Sequence, residues 1–199
     1  MMQKSDLLEL ETRRMIYNNI FQHPGLHIRE LCRKLQIPKS SLNYHLIFLE
    51  KNGLLCFRYD GRYARYYPVE GINEADKKIL GVLRQKVPRK IVLFLMTRPY
   101  SSRSEICEYL KKRPSTISFH LKKLVNVGIV EYSQKGRELT YLVYSDGLVV
   151  NLLIRYDKSL LDNNSSMSVL DFLDKTVSDY CIDRVIEVGW DIFPHPYHV

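Results

Sequence analysis

Short amphipathic helices followed by strand-like alternation characterise the first seventy residues of the chain. Apolar residues recur every three or four positions over 13–22, after which Pro24 and Gly25 end the predicted helix. Two further short helices are predicted over 28–35 and from Ser40 onwards. Beyond Gly53, the segment LLCFRYDGRYARYYPV places strand-forming residues on both sides of a glycine turn, which predicts a β-hairpin.

The whole pattern occurs a second time, displaced by 75 residues. The segment SSLNYHL at 40–46 returns as STISFHL at 115–121, and a second hairpin is predicted in IVEYSQKGRELTYLVY. In this copy Pro88 is predicted to occupy the first position of a helix, and Ser102 with Glu105 has the form of a capping box. A register that is kept through helices, turns and hairpins indicates a duplicated domain.

The predicted fold class is mainly α with small β-hairpins, an α+β fold of two tandem winged helix-turn-helix domains plus a C-terminal helical segment. The first domain is predicted over 1–70 and the second over 71–145, including a connecting helix at 73–85. The segment 146–199 holds an apolar helix at 147–161 and an amphipathic helix beginning near Val169. Because this apolar surface exceeds what two small domains need, the protein is predicted to be a homodimer through these helices.

Charge is unevenly distributed between the repeats and the C-terminal segment. Residues 1–70 carry 11 Lys and Arg against 7 Asp and Glu, residues 71–145 carry 15 against 6, and residues 146–199 carry 4 against 9. A basic pair of domains favours a polyanionic partner. The chain shows no membrane-length apolar run and no apolar core of a signal peptide, and its four cysteines form no Cys-x-x-Cys pair, so a cytoplasmic location and no membrane partner are expected.

A family resemblance follows from the third helix of each repeat. The strings SSLNYHLIFLEKNGLL and STISFHLKKLVNVGIV resemble the recognition-helix signature of ArsR-like winged-helix transcription regulators, in particular the archaeal proteins that carry two such domains in one chain. The resemblance covers roughly residues 12–145. It implies that the protein binds double-stranded DNA and regulates transcription.

The outward face of each third helix supplies the first set of candidate DNA-binding residues. Leu42, Leu46 and Leu49 lie on one side of the first of these helices, at the spacing of a buried stripe, which leaves the opposite side for a groove. Hydroxyl, amide and amine groups there suit base edges or phosphates, and an aromatic ring suits a thymine methyl group or a sugar. The candidates are Lys39, Ser40, Ser41, Asn43, Tyr44, Ser115, Thr116, Ser118, Phe119 and Lys122. The alternative is that Tyr44 and Phe119 only cover the domain surface.

The hairpins supply the second set. Arginines alternate with tyrosines around the first hairpin turn, and arginines at such a tip suit phosphates or a narrow minor groove. The alternative is a solvated edge strand protected by charge. The candidates are Arg58, Arg62 and Arg65 in the first hairpin and Lys135 and Arg137 in the second.

No cofactor, metal site or catalytic site is expected. His45 and His120 lie near Cys32 and Cys107 in the sequence pattern, but we expect each pair to pack and hydrogen-bond within its domain rather than bind a metal. Phosphate loops, dinucleotide fingerprints and nucleophile elbows are missing from the sequence, so the protein is not expected to be an enzyme.

The resulting interpretation is a sequence-specific regulator that reads double-stranded DNA with two recognition helices and basic wings. Two other classes stay open. One is a basal or polymerase-associated factor, for which the transcription machinery is a further partner. The other is a protein-interaction adaptor built on winged helices, favoured by Ile47 and Phe48, which stand where the second copy has Lys122 and Lys123.

Overall fold

The structure is a computed structural model that describes residues 7–8, 10–135, 138–144, 146–156 and 160. The chain forms two compact units, Met1–Gln85 and Lys86–Val199. None of the helices in these described residues is long and apolar enough to cross a bilayer. The predicted helix near Val169 lies outside the described residues.

The first unit is a three-helix winged domain with a fourth helix after it. Its helices are α1 (Glu11–Gln22), α2 (Ile28–Leu35), α3 (Lys39–Lys51) and α4 (Glu74–Leu83), and its strands are β1 (Leu26–His27), β2 (Leu55–Asp60) and β3 (Tyr63–Pro68). The strands form one antiparallel sheet in the order β1-β3-β2. The predicted helix 28–35 and the predicted hairpin are confirmed.

The second unit repeats this architecture. Its helices are α5 (Lys86–Thr97), α6 (Arg103–Leu110), α7 (Pro114–Asn126) and α8 (Asp146–Arg155), and its strands are β4 (Ser101–Ser102), β5 (Val130–Lys135) and β6 (Glu138–Val143). The sheet order is β4-β6-β5. From α5 to β6, every element begins and ends 75 residues after its counterpart between α1 and β3. Two winged helix-turn-helix domains in tandem are therefore confirmed, with the mainly helical fold class.

Two helix starts in the second unit test the predicted signals. The capping box at α6 is confirmed, because the Ser102 hydroxyl accepts from the Glu105 N–H at 3.3 Å and the Glu105 carboxylate accepts from the Ser102 N–H at 2.7 Å. The position predicted for Pro88 is wrong. It is the third residue of α5, which begins at Lys86. A proline is tolerated there because the first turn has no use for that N–H in an intrahelical bond.

A stripe of three apolar residues on the third helix, called the leucine stripe although its first residue in the second copy is Ile117, forms the centre of each core. Leu42, Leu46 and Leu49 of α3 are at most 1% exposed, as the sequence predicts. They pack with Ile16 and Ile20 of α1. In the second unit the corresponding residues are equally buried: Ile117, Leu121 and Leu124 of α7 and Ile91 and Leu95 of α5. Each third helix is thus held by one face.

The helix α4 packs on the first domain. Its Lys77 carbonyl accepts a hydrogen bond from the Tyr67 hydroxyl at 3.0 Å. A Cβ on Gly81 would lie 3.1 Å from the Tyr67 hydroxyl oxygen. After α4, Arg84 donates to the Pro24 carbonyl at 2.9 Å. The first unit therefore extends to Gln85, so the segment 71–85, predicted to belong to the second domain, lies with the first.

Tyr67 also explains a difference between the two copies. Gly25 has φ +85°, and a Cβ there would lie 3.2 Å from the Tyr67 ring. The corresponding residue of the second unit is Tyr100, which also has a positive φ, 62°. Because Leu142 takes the place of Tyr67 in that copy, the close approach of a large ring that favours glycine at position 25 does not recur.

We predict that Tyr67→Phe weakens the first unit by about 0.5–1.5 kcal/mol, the net contribution of one hydrogen bond, because the ring stays and only the bond to the Lys77 carbonyl is lost. Urea unfolding of the full chain measures the change. Tyr59→Phe is the matched control, since Tyr59 is 73% exposed. Equal effects of the two variants would contradict a structural role for the Tyr67 hydroxyl.

Candidate nucleic-acid interface

The outward face of α3 carries the predicted polar residues. Lys39, Ser40 and Asn43 are exposed, and Ser41 is half-buried at the edge of the same face. Tyr44 is 62% exposed. Its ring meets the ring of His45 edge-on, with 5.2 Å between the centroids. The first turn of α3 is not closed by a side-chain cap, and the helix simply follows Pro38. The face is therefore a polar surface with one exposed ring.

The outward face of α7 repeats this arrangement with different side chains. Ser115 and Lys122 are exposed, and Thr116 is half-buried. Phe119 is 66% exposed. Its ring meets His120 edge-on at 5.2 Å, the same distance as in the first copy. An exposed ring set beside a histidine is therefore a duplicated feature of both third helices.

Ser118 is already engaged within the second unit. It is half-buried, and its hydroxyl accepts a hydrogen bond from the Arg103 guanidinium at 3.3 Å. Arg103 opens α6 and is exposed, so the bond holds a cation beside the outward face of α7. Sequence reasoning missed Arg103, because its neighbour Ser118 lies fifteen residues away and no local spacing connects the two.

Sequence reasoning also missed the three exposed cations directly before α7. Lys111, Lys112 and Arg113 form the turn between α6 and α7, and all three are exposed. The run of three cations was visible in the sequence as the signal KKR directly before the third helix. The corresponding residues in the first unit are Gln36, Ile37 and Pro38.

Ile47 and Phe48 of α3 have different surroundings. Ile47 is 43% exposed. Phe48 is half-buried, and the Arg13 guanidinium lies over its ring at 3.6 Å from the centroid. An intramolecular cation–π contact of this kind uses the face of the ring. Of the two residues proposed to contact another protein, only Ile47 is openly exposed.

The first wing presents one of its three predicted arginines to solvent. Arg62 is exposed in the two-residue turn between β2 and β3. Arg58 is half-buried, and its Nε donates to the Glu74 carboxylate at 2.9 Å. Hydrogen bonds from Lys77 and then Arg58 lower the pKa of Glu74. The Arg58 guanidinium is therefore paired with a carboxylate of α4.

Arg65 is a correction to the sequence-based expectation. It is 6% exposed, because β3 turns this side chain inward beneath the hairpin. Its Nε donates to the Asp60 carboxylate and its Nη1 to the Gly25 carbonyl, both at 2.9 Å. Because these bonds hold the guanidinium inside the domain, Arg65 is not exposed as a wing arginine that contacts phosphate would be. It instead ties the wing to the loop before β1.

His27 caps the helix α2 next to this arginine. Its Nδ1 accepts from the Glu30 N–H at 3.4 Å, while the Glu30 carboxylate accepts from the His27 N–H at 2.9 Å. The His27 ring also stacks on Tyr63 of the wing at 5.2 Å. This is the capping box of α6 with histidine in place of Ser102. Because histidine is not a typical cap residue, this capping box could not be predicted from the sequence.

Burial is the main influence on the histidines of the first unit. It lowers the pKa of His27 below the ordinary 6.5, with Glu30 acting in the opposite direction. Burial, assisted by Lys34 and Arg84, lowers the pKa of His23 to about 4. His45 and, in the second unit, His120 also have pKa values lowered chiefly by burial. The folded protein therefore favours neutral histidines.

The Cys and His residues at equivalent positions of the two copies are partly or fully buried. Cys32 and Cys107 are half-buried, and the Nδ1 atoms of His45 and His120 are buried without a hydrogen-bond partner among the described residues. Within that part of the chain no group of three or more His, Cys, Asp or Glu side chains could hold a metal ion. The expected hydrogen bonds of these histidines are thus missing at Nδ1.

The second wing is described only in part. Its strands β5 and β6 pair from Val130 and Val143 towards the turn. The Lys135 side chain and all of Arg137 lie outside the described residues, so their candidacy remains a prediction.

Comparisons with known proteins agree with this arrangement. Residues 88–132 match the family model described as "Bacterial regulatory protein, arsR family", and residues 10–80 match a family model described as an N-terminal HTH domain. An uncharacterized HTH-type transcriptional regulator of Methanocaldococcus jannaschii is 35% identical over 133 residues, which is 67% of this chain and 33% of that protein. The chain thus spans about a third of the length of this relative.

Two solved structures align more weakly. One is the crystal structure of a protein from Corynebacterium diphtheriae, with 15% identity, a TM-score of 0.28, and coverage of 71% of this chain and 27% of that one. The other is the mRNA-binding domain of elongation factor SelB from E. coli in complex with SECIS RNA, with 12% identity, a TM-score of 0.28, and coverage of 68% and 99%. Superpositions this loose carry no argument about function.

Two winged domains, each with an outward third helix, define a tandem winged helix-turn-helix protein. The family matches identify the two domains separately. Residues 88–132 form an ArsR-family domain, residues 10–80 match an N-terminal HTH domain, and the chain is similar over 133 residues to a protein named as an HTH-type transcriptional regulator.

We predict that the free energy of unfolding is highest above pH 6.5 and falls as the pH decreases towards 4, because the unfolded histidines take up protons that the folded ones resist. His27→Ser, which copies Ser102, keeps an acceptor at the cap and removes one of these groups. The serine hydroxyl takes over the cap from the His27 Nδ1 nitrogen. The variant is therefore expected to show a smaller loss of unfolding free energy over this pH interval than the natural chain. Urea unfolding across the interval measures this. If the two proteins lost the same unfolding free energy over this interval, the pKa of His27 would be the same in the folded and unfolded states.

Proposed function

We propose that this protein is a regulator of transcription that binds double-stranded DNA, placing α3 and α7 in the grooves and a wing on the backbone. The observation that carries the proposal is the duplicated outward face: both third helices bury a leucine stripe and expose polar groups with one aromatic ring. Amide, hydroxyl and amine groups on a helix of this width suit the donors and acceptors of the major groove.

The residues divide into those suited to bases and those suited to phosphates. Asn43 can bond an adenine edge through both ends of its amide, and Tyr44 and Phe119 can contact thymine methyl groups. Lys39, Arg62 and Lys122 are exposed cations suited to phosphates. The hydroxyls of Ser40, Ser41, Ser115 and Thr116 can bond either partner. The Ser118 hydroxyl accepts a hydrogen bond from Arg103 and keeps its own proton, which it can donate to a base or a phosphate.

An adaptor that binds protein through α3 is the less favoured function. Its basis was the apolar pair at 47 and 48, and the ring of Phe48 is already covered by Arg13. A basal transcription factor would use the same surfaces on DNA but would need polymerase for stable binding. Selection of genomic DNA fragments by the purified protein distinguishes these functions, since a regulator enriches discrete sites without polymerase.

We predict different consequences for two exposed residues of the first unit. Arg62→Ala is expected to weaken binding to a selected site and to a scrambled duplex alike, because a phosphate contact carries no sequence information. Asn43→Ala is expected to cost about 1–3 kcal/mol on the selected site and much less on the scrambled one. Fluorescence anisotropy titrations of both variants on both duplexes give the four values.

The natural chain and Arg65→Lys serve as references for these titrations. Arg65→Lys is expected to destabilise the wing, because an ammonium cannot reproduce both bonds of the buried guanidinium. Its unfolding curve should therefore change more than that of Arg62→Ala. Unchanged DNA binding by Arg62→Ala on both duplexes would remove the wing from the interface.

We further propose that the protein forms a homodimer through α8 and the segment after it. Leu148 of α8 is 42% exposed although Val149, Val150, Leu152 and Leu153 are buried. An exposed leucine next to a buried apolar face is suited to a second subunit. We predict that light scattering finds a dimer for the natural chain at micromolar concentration and a smaller mean mass for Leu148→Glu. A natural chain that is monomeric at this concentration would contradict the dimer.

A further inference from the structure

We infer that the two helix-turn-helix motifs are unequal, and that the motif of the second unit supplies most of the phosphate contacts made by the turns and third helices. The inference rests on the proposed function, since it concerns how the chain would hold duplex DNA. It assigns the role of anchor to the exposed cations around α7, which we call the α7 collar: Arg103, Lys111, Lys112, Arg113 and Lys122.

The charge difference between the two motifs is concentrated in the turn and the third helix. Residues 36–51 contain two cations, Lys39 and Lys51, and one anion, Glu50. The corresponding residues 111–126 contain five cations and no anion. Because electrostatic affinity for DNA grows with the number of neutralised phosphates, this segment of the second unit has the larger capacity for non-specific binding.

Four of the collar cations lie before the start of α7 or further along its outward face. Lys111, Lys112 and Arg113 precede the first residue of the helix, while Lys122 shares the outward side with Ser115 and Phe119. Arg113 and Lys122 are nine positions apart, which is about 13.5 Å at 1.5 Å per residue. The major groove is about 12 Å wide, so cations at these two positions can meet phosphates on opposite edges of the groove.

Arg103 adds a cation at the side of this face. Its hydrogen bond to the Ser118 hydroxyl, at 3.3 Å, joins the start of α6 to the middle of α7. The corresponding residues of the first unit are Ile28 and Asn43, which cannot form such a pair because isoleucine has no donor. Ser118 is therefore a positioning residue for the collar.

The first motif distributes its cations differently. Arg29 and Arg33 are exposed on α2, and their positive charges act on the pKa of His27, which stacks on the wing. The corresponding residues of the second motif are Ser104 and Glu108. The turn before α3, with Gln36, carries no charge. The outward side of α3 consequently offers amide, hydroxyl and apolar groups and only one cation at its start, which suits base contacts more than phosphate contacts.

Matched pairs of substitutions in the full chain test the inference. One variant carries Lys112→Gln and Lys122→Gln in the collar. The second carries Lys39→Gln and Lys51→Gln, which removes both cations of the matching segment of the first unit. A third carries Lys78→Gln and Lys90→Gln, exposed residues of α4 and α5, and controls for the loss of two charges. Thermal unfolding checks that each variant folds like the natural chain.

The measurement is the slope of log affinity against log salt concentration on one duplex. Each phosphate contact contributes about 0.9 to the magnitude of this slope. We expect the collar pair to lower it by about 1.8, the first-unit pair by about 0.9 or less, and the control pair by nothing measurable. A loss of slope in the first-unit pair as large as that in the collar pair would overturn the inference and leave DNA binding standing. A natural chain that binds no duplex DNA would instead overturn the proposed function.

Discussion

Burial of the leucine stripe on the third helix is the constraint on which both domains depend. Leu42, Leu46 and Leu49 fix which side of α3 points inward, and burying each such side chain stabilises a fold by about 1.5–3 kcal/mol. Once that side is fixed, the positions of Ser40 and Tyr44 on the outside follow from helical geometry alone. The outward face therefore needs no stabilising contacts of its own, and its residues are available for a ligand.

Much of this arrangement could be predicted from the sequence because it is periodic and occurs twice in the chain. The 75-residue offset compares two independent versions of each helix and hairpin, so residues common to both, such as the leucine stripe, identify the core. Exposure of Tyr44, Phe119 and Lys122 follows from the same stripe. The two-residue strands β1 and β4 could not be found in this way, because two residues are too short to show alternation.

The features that escaped prediction depend on contacts between residues far apart in the chain. Arg65 alternates with tyrosines as an exposed wing arginine would. Its guanidinium nevertheless donates a hydrogen bond to the carbonyl of Gly25, forty residues away. The helix α4 resembles a linker until Tyr67 is seen to bond its backbone. Alternation along a strand indicates which residues share a face. Which of the two faces is buried depends on how the sheet packs.

The residue that ends α2 and α6 has the same left-handed backbone in both copies. Gln36 and Lys111 have φ of 55° and 50°, although neither is glycine. Many helices end with a residue in this conformation, and glycine is the residue that adopts it without a steric cost. The turn into the third helix therefore imposes one backbone on two different side chains, and a glycine at either position would fit that backbone with less strain.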